Sequence, residues 1–485
     1  MKKTIICLML AAMLSCSACG NTESVNGGND SSIESTQTEI VTTDPSADEL
    51  PDDLNFGGET VTFFYRSEIA DEFYSEEANG DVVNDALYDS HSSVEERLNV
   101  KIEVITQPGQ NGEDRNTYMN QIRSSVMAND DVYDWVDLMV GNAPVMMQEG
   151  IFRNLSDNKY INPDKPYYMD GLAELCTIDG KLYFISGDAS LGYLQDSFCI
   201  FFNKAIAEEY KLGNLYDIVE AGEWTLDKLM ELSQKVCKDL DGDGKYDDKD
   251  QLGFRIYDQN HISGFIASTE LDMCKTDANG DWKFDMSTER NASIVEKLHR
   301  LIYESDGSFM NHVSDCKKFA NDEVLFITAQ FDDAAVQLRE MKSDYGILPY
   351  PKFGTEQEKY YSNARTTHNS FSMPMTCGDP EMAGAVMEAI AAKNYKTVTP
   401  AYFELALKTK FASDEETAKM YDIIRGGMRL DFGFIFSNIM ANPVTSVFIN
   451  SVKGQGGFAS NLASFNEQII QSLETYMETV RSQTE

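Results

Sequence analysis

Three short apolar segments alternate with two amphipathic segments early in the chain, and this alternation constrains the fold more than any other feature. Residues 60–65 are β-branched and aromatic, 99–104 alternate apolar with polar residues, and 135–140 are again mostly apolar. The segments between them, 83–98 and about 114–128, carry apolar residues at helical spacing. Strand, helix, strand, helix, strand with short connections predicts an α/β fold with a parallel sheet and right-handed crossovers.

The residues at the ends of these strands are the first candidates for a ligand site. Ligands of open parallel sheets bind beyond the carboxyl ends of the strands. Tyr65 and Arg66 end the first predicted strand, and Asn142 follows the third. The pattern therefore predicts all three on one rim, although a Gly-Asn pair such as Gly141-Asn142 is equally typical of a plain strand end.

The charge of the chain limits its partners. The 485 residues include 80 acidic and 40 basic side chains, which gives a net charge of −40. A surface of this sign repels phosphates, so no nucleic acid is expected as a partner. It is compatible with bound cations and with neutral ligands. Beyond its N-terminal segment the chain keeps about 430 residues, too many for one simple core, which favours two domains.

The N-terminus has the pattern of a secretory signal. Lys2 and Lys3 precede the apolar run 5–14, which is too short to span a bilayer permanently. Small residues then lead to Cys19, and the stretch 17–20 resembles a bacterial lipobox, in which the cysteine is lipidated and becomes the first mature residue. Cys16 stands where that motif usually has leucine, and it is itself a second candidate. An ordinary cleaved signal is the alternative interpretation.

Residues 20–54 are predicted to be a disordered tether. They are mainly Asn, Ser, Thr, Gly, Asp and Glu, with no aromatic residue before Phe56. Such a segment buries too little apolar surface to offset its chain entropy. With residues 1–19 as a lipoprotein signal peptide and palmitate or a similar acyl chain on Cys19, the layout predicts a protein held on the extracellular face of the cell membrane. The lipid would be its sole membrane anchor.

Residues 239–250 have the spacing of a calcium loop. Acidic residues occupy positions 1, 3, 5, 9 and 12, and Gly244 at position 6 permits the sharp turn. The predicted ligands of a structural Ca²⁺ are Asp239, Asp241, Asp243, the Lys245 carbonyl, Asp247 and Asp250. Asp250 replaces the usual Glu at position 12, as in dockerin-like loops, and a solvated acidic turn is the alternative. The later pair Asn279-Gly280 instead predicts a tight hairpin turn.

Five segments, taken in order, resemble the extracellular solute-binding proteins of the maltose-binding type (family 1) that serve bacterial ABC importers. The resemblance extends over nearly the whole mature chain, although each piece alone is weak. The segments are Phe201-Phe202-Asn203-Lys204, Gly222-Glu223-Trp224-Thr225, Phe319–Phe326, Asp344–Lys352 and Ala401–Asp431.

The resemblance implies a two-lobed periplasmic-binding-protein-like fold of type II, with a ligand cleft between two α/β lobes. Three hinge crossings would join the lobes, near residues 196–200, 328–331 and 367–372. A few residues at such hinges absorb the change of dihedral angles on closure.

By the same resemblance, the N-lobe would comprise residues 55–197 and 331–369. The C-lobe would comprise 198–330 and 370–485 and would carry the calcium loop. The implied function is that of a substrate-binding lipoprotein, which captures a sugar or oligosaccharide between its lobes and delivers it to the transmembrane subunits of an ABC permease.

Candidate ligand contacts follow from the predicted rims and hinges. Sugar sites combine an aromatic plate with Asp, Asn, Arg or Gln for the hydroxyl groups. For each candidate a purely structural role is an equal alternative; Trp224 favours a core position, whereas Asp196 and Asp332 are the stronger candidates. The full set is Tyr65, Arg66, Asn142, Gln195, Asp196, Trp224, Phe331, Asp332, Arg365, His368 and Asn369.

The sequence predicts no enzyme. The five histidines have no metal-binding spacing, and no nucleophile or phosphate-loop motif occurs. Two alternatives stay open. A secreted carbohydrate-active enzyme would need a pair of catalytic carboxylates, which nothing in so acidic a chain singles out. A surface adhesion or scaffold protein is suggested by the dockerin-like loop and would need an exposed interaction face.

Overall fold

The structure, a computed structural model, describes residues 44–310, 314–406 and 415–483. The predicted signal peptide 1–19 with Cys19, and the tether up to residue 43, lie outside the described residues. Within the part that is described, no helix is both long and apolar enough to cross a bilayer.

The last part of the predicted tether belongs to the folded body, so the prediction of disorder up to residue 54 is wrong there. Leu50 is buried in the core. Both carboxylate oxygens of Asp48 accept from the Arg97 guanidinium, at 2.6 and 2.8 Å. The segment is polar in composition, but Leu50 packs in the core and Asp48 forms an ion pair with the folded body.

The described chain forms eleven strands: β1 (Glu59–Arg66), β2 (Val100–Gln107), β3 (Trp135–Met139), β4 (Phe198–Asn203), β5 (Leu252–Ile256), β6 (Cys274–Thr276), β7 (Trp282–Phe284), β8 (Ser308–Met310), β9 (Val324–Gln330), β10 (Tyr345–Leu348) and β11 (Asn369–Ser372). Its α-helices are α1 (Val82–Leu98), α2 (Gly112–Ala128), α3 (Ala143–Met147), α4 (Leu172–Cys176), α5 (Gly192–Gln195), α6 (Lys204–Glu209), α7 (Leu215–Glu220), α8 (Leu226–Val236), α9 (Gly264–Ser268), α10 (Glu289–His299), α11 (Lys317–Ala320), α12 (Asp333–Val336), α13 (Pro380–Lys396), α14 (Val398–Ala406), α15 (Glu415–Gly426), α16 (Phe432–Ile435), α17 (Asn450–Val452) and α18 (Phe458–Arg481).

The first sheet confirms the predicted strand and helix alternation. Its strand order is β11-β3-β1-β2, with β1 parallel to both β2 and β3 and β11 antiparallel to β3. Helix α1 begins at the N-cap Asp81, whose carboxylate accepts from the Val83 and Asn84 amides, and it buries Leu87, Val94 and Leu98. The parallel pairing brings the carboxyl ends of β1 and β3 to the same edge.

The second sheet has the order β10-β4-β9-β5-β8. Strand β4 is entirely buried, in keeping with its continuous apolar sequence, and it pairs antiparallel with β9 and β10. Strands β6 and β7 form a separate hairpin, and Gly280 in its turn has φ +86°, as the Asn279-Gly280 pair predicts.

Three segments meet where the two sheets adjoin, and we call them the junction: residues 195–198, 330–333 and 363–369. The Phe198 amide donates to the Asn363 carbonyl at 3.0 Å, which joins the first and third segments. The Gly141 amide, after β3, donates to the Thr366 carbonyl at 3.0 Å. The chain passes between the sheets in the first and third segments, near two of the three predicted crossings.

The strand pairing corrects the predicted lobes in two places. Residues 331–369 were expected in the N-lobe, yet β10 pairs with β4 of the second sheet. The segment 330–333 touches the junction, where the Phe331 amide donates to the Ser197 carbonyl at 3.2 Å, but the chain then returns to the second sheet. The prediction of a crossing at 328–331 is therefore wrong: β9 and β10 lie on the same side.

The second correction concerns residues 370–485, all expected in the C-lobe. Strand β11 belongs to the first sheet instead, because it pairs with β3. The helices α13 and α14 belong to the same lobe as that sheet, because both pack on α1. The Trp135 indole of β3 donates to the Ala383 carbonyl of α13 at 2.9 Å. Helix α15 packs on β10 of the second sheet. The resemblance placed the crossings only by their position along the chain, so it gave no signal for this return.

Candidate ligand-binding cleft

A cavity of about 310 Å³ lies against the junction. Its wall combines Gly141 at the end of β3, the junction residues 365–367, and two residues of the turn that precedes α9, Asn260 and Ser263. Arg115 of α2 and the C-terminal segment 434–449 complete it. Both sheets therefore contribute to one cavity, at the carboxyl edge of the first sheet where the sequence predicts a ligand.

The wall of the cavity carries both polar and apolar side chains. Its hydrogen-bonding groups are two guanidinium groups, three amides and several hydroxyl groups, whereas Phe434, Ile435, Val444 and Ile449 are apolar. Among the described residues no Asp or Glu lines it. A wall that mixes apolar and hydrogen-bonding side chains can hold a ring whose edge carries hydroxyl groups. The polar residues are Arg115, Asn260, Ser263, Arg365, Thr366, Thr367, Ser437, Asn438, Asn442 and Thr445.

Arg66 and Asp137 form a buried ion pair behind the cavity. The Arg66 Nε donates to Asp137 Oδ2 at 2.6 Å, and Nη2 donates to Oδ1 at 3.1 Å. The Arg66 Nη1 donates to Gln110 Oε1 at 2.6 Å and to the Thr367 carbonyl at 3.2 Å. Burial raises the pKa of Asp137, and the Arg66 charge opposes that shift. Arg66 thus fixes the backbone of a cavity residue.

Asp196 lies at the centre of the junction. Its carboxylate accepts from the Gln330 amide at 2.6 Å and from the Thr367 hydroxyl at 2.9 Å. The Asp196 carbonyl accepts from the Arg365 amide at 3.0 Å. Burial raises the pKa of Asp196, and the charge of Arg365 lowers it. The structure therefore brings together Asp196 and Arg365, two candidates 169 positions apart in the chain, and it places Asp196 just behind the cavity wall.

Three further candidates lie beside this centre. The Asp332 amide donates to the Gln195 carbonyl at 3.2 Å, and burial raises the pKa of Asp332 to about 6. His368 is buried with Nδ1 2.5 Å from the Arg365 carbonyl oxygen, and burial lowers its pKa to about 4. His368 is therefore neutral near pH 7.

Asn369 and Glu72 share a second polar site near the junction. Asn369 is 1% exposed, and neither its side-chain oxygen nor its nitrogen has a hydrogen-bond partner among the described residues. A Cβ on Gly192 would lie 2.4 Å from both Asn369 Oδ1 and Glu72 Oε2, so a larger residue there would displace the two side chains. Burial raises the pKa of Glu72 well above its ordinary value. Sequence reasoning missed Glu72, six residues after Arg66.

The remaining candidates sit apart from the cavity or only border it. Asn142 accepts from the Asn438 amide at 3.2 Å, and the same amide donates to the Gly141 carbonyl at 2.8 Å. Trp224 is fully buried and donates to the Pro349 carbonyl at 2.8 Å, as its core alternative predicts.

Two other aromatic candidates are also buried in the core. Tyr65 stacks on Phe73 with ring centroids 5.1 Å apart, and its hydroxyl lies 3.0 Å from the Ser190 hydroxyl. Phe331 packs against Tyr421 at 4.7 Å. Sequence reasoning missed most of the actual cavity wall, notably Arg115 and residues 434–449, because no local pattern marks residues that meet only after folding.

The loop 239–250 folds as a compact acidic turn. Carboxylate oxygens of Asp239, Asp241 and Asp243 lie within 4.8 Å of one another. Gly244, at position 6, has φ +78°, and its amide donates to Asp239 Oδ2 at 2.9 Å. Three of the predicted ligands are thus grouped, at a spacing that one cation could bridge.

The other predicted ligands of this loop are engaged elsewhere. Both oxygens of Asp250 accept backbone amides, from Leu240 at 2.8 Å and from Asp247 at 2.9 Å. The Lys249 ammonium lies 3.1 Å from Asp241 and 3.9 Å from Asp247. Lys249 therefore supplies positive charge to the loop in this structure, at the carboxylates that a metal ion would use. The Lys245 backbone amide donates to Asp243 Oδ1 at 2.8 Å, a bond that does not involve the Lys245 carbonyl expected at position 7.

Comparisons with solved structures find the same architecture in sugar-binding proteins. The galacto-N-biose/lacto-N-biose I-binding protein of an ABC transporter from Bifidobacterium longum is 12% identical over 87% of this chain and 98% of its own, with a TM-score of 0.58. The cyclic α-maltosyl-1,6-maltose-binding protein from Arthrobacter globiformis is 14% identical over 87% and 100%, with a TM-score of 0.56.

A third neighbour is the ABC substrate-binding protein Lmo0181 from Listeria monocytogenes, solved with cycloalternan. It is 11% identical over 87% of this chain and 98% of its own, with a TM-score of 0.51. No protein-family model matches the sequence, and the search of curated proteins finds no match either. The neighbours are binding proteins rather than enzymes. The predicted likeness to the maltose-binding type is thus confirmed in three dimensions: the chain has the two-lobed α/β fold of the substrate-binding proteins of ABC transporters.

Proposed function

We propose that this protein is the substrate-binding lipoprotein of an ABC importer, which captures a sugar or oligosaccharide between its lobes and releases it unchanged to a membrane permease. The observation that carries the proposal is the cavity at the junction, whose wall combines residues of both lobes and carries both hydrogen-bonding and apolar groups. The sugar-binding neighbours of the same fold support the ligand class.

Capture follows from the arrangement of the wall. Gly141 and Arg115 belong to the first lobe, whereas Asn260 and Ser263 belong to the second. A ligand that contacts both sets binds the closed arrangement more tightly than the open one, and this difference in affinity drives closure. The junction segments 195–198 and 363–369 are where the backbone would bend.

Binding of sugars and oligosaccharides in a thermal-shift screen, followed by mass spectrometry of the recovered ligand, tests the proposal. A ligand at about 100 times its Kd should stabilise the protein by about 2.7 kcal/mol. Asn438→Ala should weaken binding at least about tenfold, since Asn438 lines the cavity. Asn120→Ala, at an exposed position on α2, should leave it unchanged. Conversion of the sugar to a product would contradict the proposal and favour an enzyme.

The anchor is part of the same proposal. Acylation at Cys19 would hold the binder beside its permease, on the extracellular face of the cell membrane. Cys19→Ala should release the protein into the medium, whereas Cys16→Ala should leave it attached. If only Cys16→Ala released the protein, the lipidated residue would be Cys16 instead of Cys19.

We also propose that the loop 239–250 binds a structural Ca²⁺. The grouped carboxylates of Asp239, Asp241 and Asp243 support this proposal, because oxygen ligands at such spacing suit a hard divalent cation. The loop joins α8 to β5 and none of its residues lines the cavity, so the ion would stabilise the second lobe rather than contact the ligand.

A further inference from the structure

The charge of the cavity wall is opposite to that of the whole chain. The chain carries twice as many acidic as basic residues, 80 against 40. Among the described residues, however, the charged side chains that line the cavity are Arg115 and Arg365, and no carboxylate lines it. In sites for neutral sugars, Asp and Glu side chains accept hydrogen bonds from the sugar's hydroxyl groups. This wall offers mainly donors instead.

Neither of these arginines is neutralised by an ion pair. Most other arginines pair with a carboxylate, for example Arg123 with Glu149 at 2.7 Å and Arg429 with Asp272 at 2.5 Å. Within the described part of the chain, no carboxylate oxygen lies within 4.0 Å of the guanidinium nitrogens of Arg115 or Arg365. Two positive charges therefore face one cavity without a paired anion.

Both guanidinium groups also keep unused donors. The Arg115 Nη2 donates to the Gln110 carbonyl at 2.7 Å, but its buried Nε has no hydrogen-bond partner among the described residues. The Arg365 Nη1 donates one hydrogen bond, to Gln330 Oε1 at 3.3 Å. A guanidinium group presents five donors in a planar fork that matches a carboxylate or sulfate.

The acidic groups behind the wall form no ion pair with Arg115 or Arg365 among the described residues. Arg66 is matched by Asp137. The charge of Arg365 lowers the pKa of both Asp196 and Asp333, but neither carboxylate lines the cavity. Burial and the neighbouring Arg66 charge lower the pKa of Arg115. A bound anion would give both arginines a charged partner on the cavity side.

We propose that the cleft selects an acidic saccharide, whose carboxylate or sulfate group is held by Arg115 and Arg365 while Asn and Thr side chains bind its hydroxyl groups. The inference rests on the proposed sugar-binding function and narrows its ligand class. The net charge of −40 does not oppose it at contact distance, because charges farther away than about 8 Å are largely screened at physiological ionic strength.

Calorimetric titration with matched saccharide pairs tests the inference: galactobiose against digalacturonate, and lactose against lactose 3′-sulfate. The acidic member of a pair should bind at least about tenfold more tightly than the neutral one. Arg365→Gln and Arg115→Gln should each remove most of that preference. Arg339→Gln, at an exposed position outside the cavity, should retain it. The pair that shows the preference identifies the anionic group.

The salt dependence of wild-type binding tests the same point without any substitution. Raising NaCl from about 50 to about 500 mM should weaken binding of the acidic member and leave the neutral member unaffected. Equal or tighter binding of the neutral members would overturn the inference and leave the proposed function standing. Failure of every acidic and neutral saccharide to bind would overturn the proposed function, and the inference with it.

Discussion

The junction and the loop 239–250 both concentrate carboxylates, but they accommodate them in different ways. In the junction, Asp196 is half-buried and accepts hydrogen bonds from the side chains of Gln330 and Thr367, which are 134 and 171 positions away in the chain. In the loop, Asp239 and Asp243 are solvent-accessible and accept from backbone amides two to five positions away. The Asp196 carboxylate therefore depends on the tertiary fold, whereas the loop carboxylates depend on local turns and on the Lys249 ammonium.

Breaking the buried ion pair beside the junction is expected to change the free energy of unfolding the most. Arg66→Met should lower the free energy of unfolding by about 3–5 kcal/mol, because Asp137 would stay buried and charged without its partner. Urea denaturation measures this value. The double variant Arg66→Met/Asp137→Leu should recover much of the loss.

An exposed pair gives the matched control for that variant. Arg97 and Asp48 form an equally short ion pair, but 38% of the Arg97 side chain is exposed. Arg97→Met should therefore lower the free energy of unfolding by less than about 1 kcal/mol. Similar losses of unfolding free energy in Arg66→Met and Arg97→Met would show that burial does not make one ion pair more important than the other.

The next effect is a pH dependence that originates in the junction. Burial raises the pKa of Asp333 to about 7 from an ordinary value of 3.8. The folded state then holds a proton that the unfolded state has released, so this group's contribution to stability is full below pH 3.8 and is lost as the pH rises to about 7. The loss amounts to roughly 2–4 kcal/mol.

Asp333→Asn tests this dependence. The free energy of unfolding of the variant, measured by urea denaturation between the two pKa values, should fall less steeply with pH than that of the wild type. Asp422→Asn, an exposed acid on α15, is the control and should keep the wild-type slope. Equal slopes in all three proteins would show that Asp333 ionises normally.

The same contrast explains what the sequence could predict. The spacing of apolar residues predicts β1 to β3 and their helices, because each element follows from neighbours along the chain. The turn 239–250 and the Asn279-Gly280 hairpin are local in the same sense. The return of α13 and α14 to the first lobe, and the meeting of Arg115 with residues 434–449, have no local signal. They arise from packing between segments hundreds of residues apart.

The prediction of site residues succeeds for position along the chain and fails for the direction in which a side chain packs. Asp196 and Arg365 were found because a family resemblance placed them near hinges, and they do meet in the junction. Tyr65 and Phe331 lie at strand ends as expected, but their rings turn into the core. An aromatic residue at a strand end packs against whatever apolar surface is near, and only the fold decides which surface that is.

Removal of calcium should have an intermediate effect, confined to the loop. With the ion at about 100 times its Kd, excess EGTA should lower the free energy of unfolding by about 2.7 kcal/mol and leave saccharide binding intact. Asp241→Asn should reduce the EGTA effect, whereas Asp277→Asn, in the acidic hairpin turn, should not. A melting temperature that is insensitive to both Ca²⁺ and EGTA would refute the calcium proposal.

The smallest effect is expected at Lys249, the lysine that contacts the loop carboxylates. Its side chain is 64% exposed, so Lys249→Ala should change the free energy of unfolding without Ca²⁺ by less than about 1 kcal/mol. The same change should tighten Ca²⁺ binding a few-fold, because the ammonium competes with the ion for Asp241. Lys235→Ala, which removes a comparable exposed pair with Glu231 on α8, should leave calcium affinity unchanged. Calorimetric titration with Ca²⁺ separates the two variants, and weaker binding by Lys249→Ala would show that this lysine supports the loop instead of competing for it.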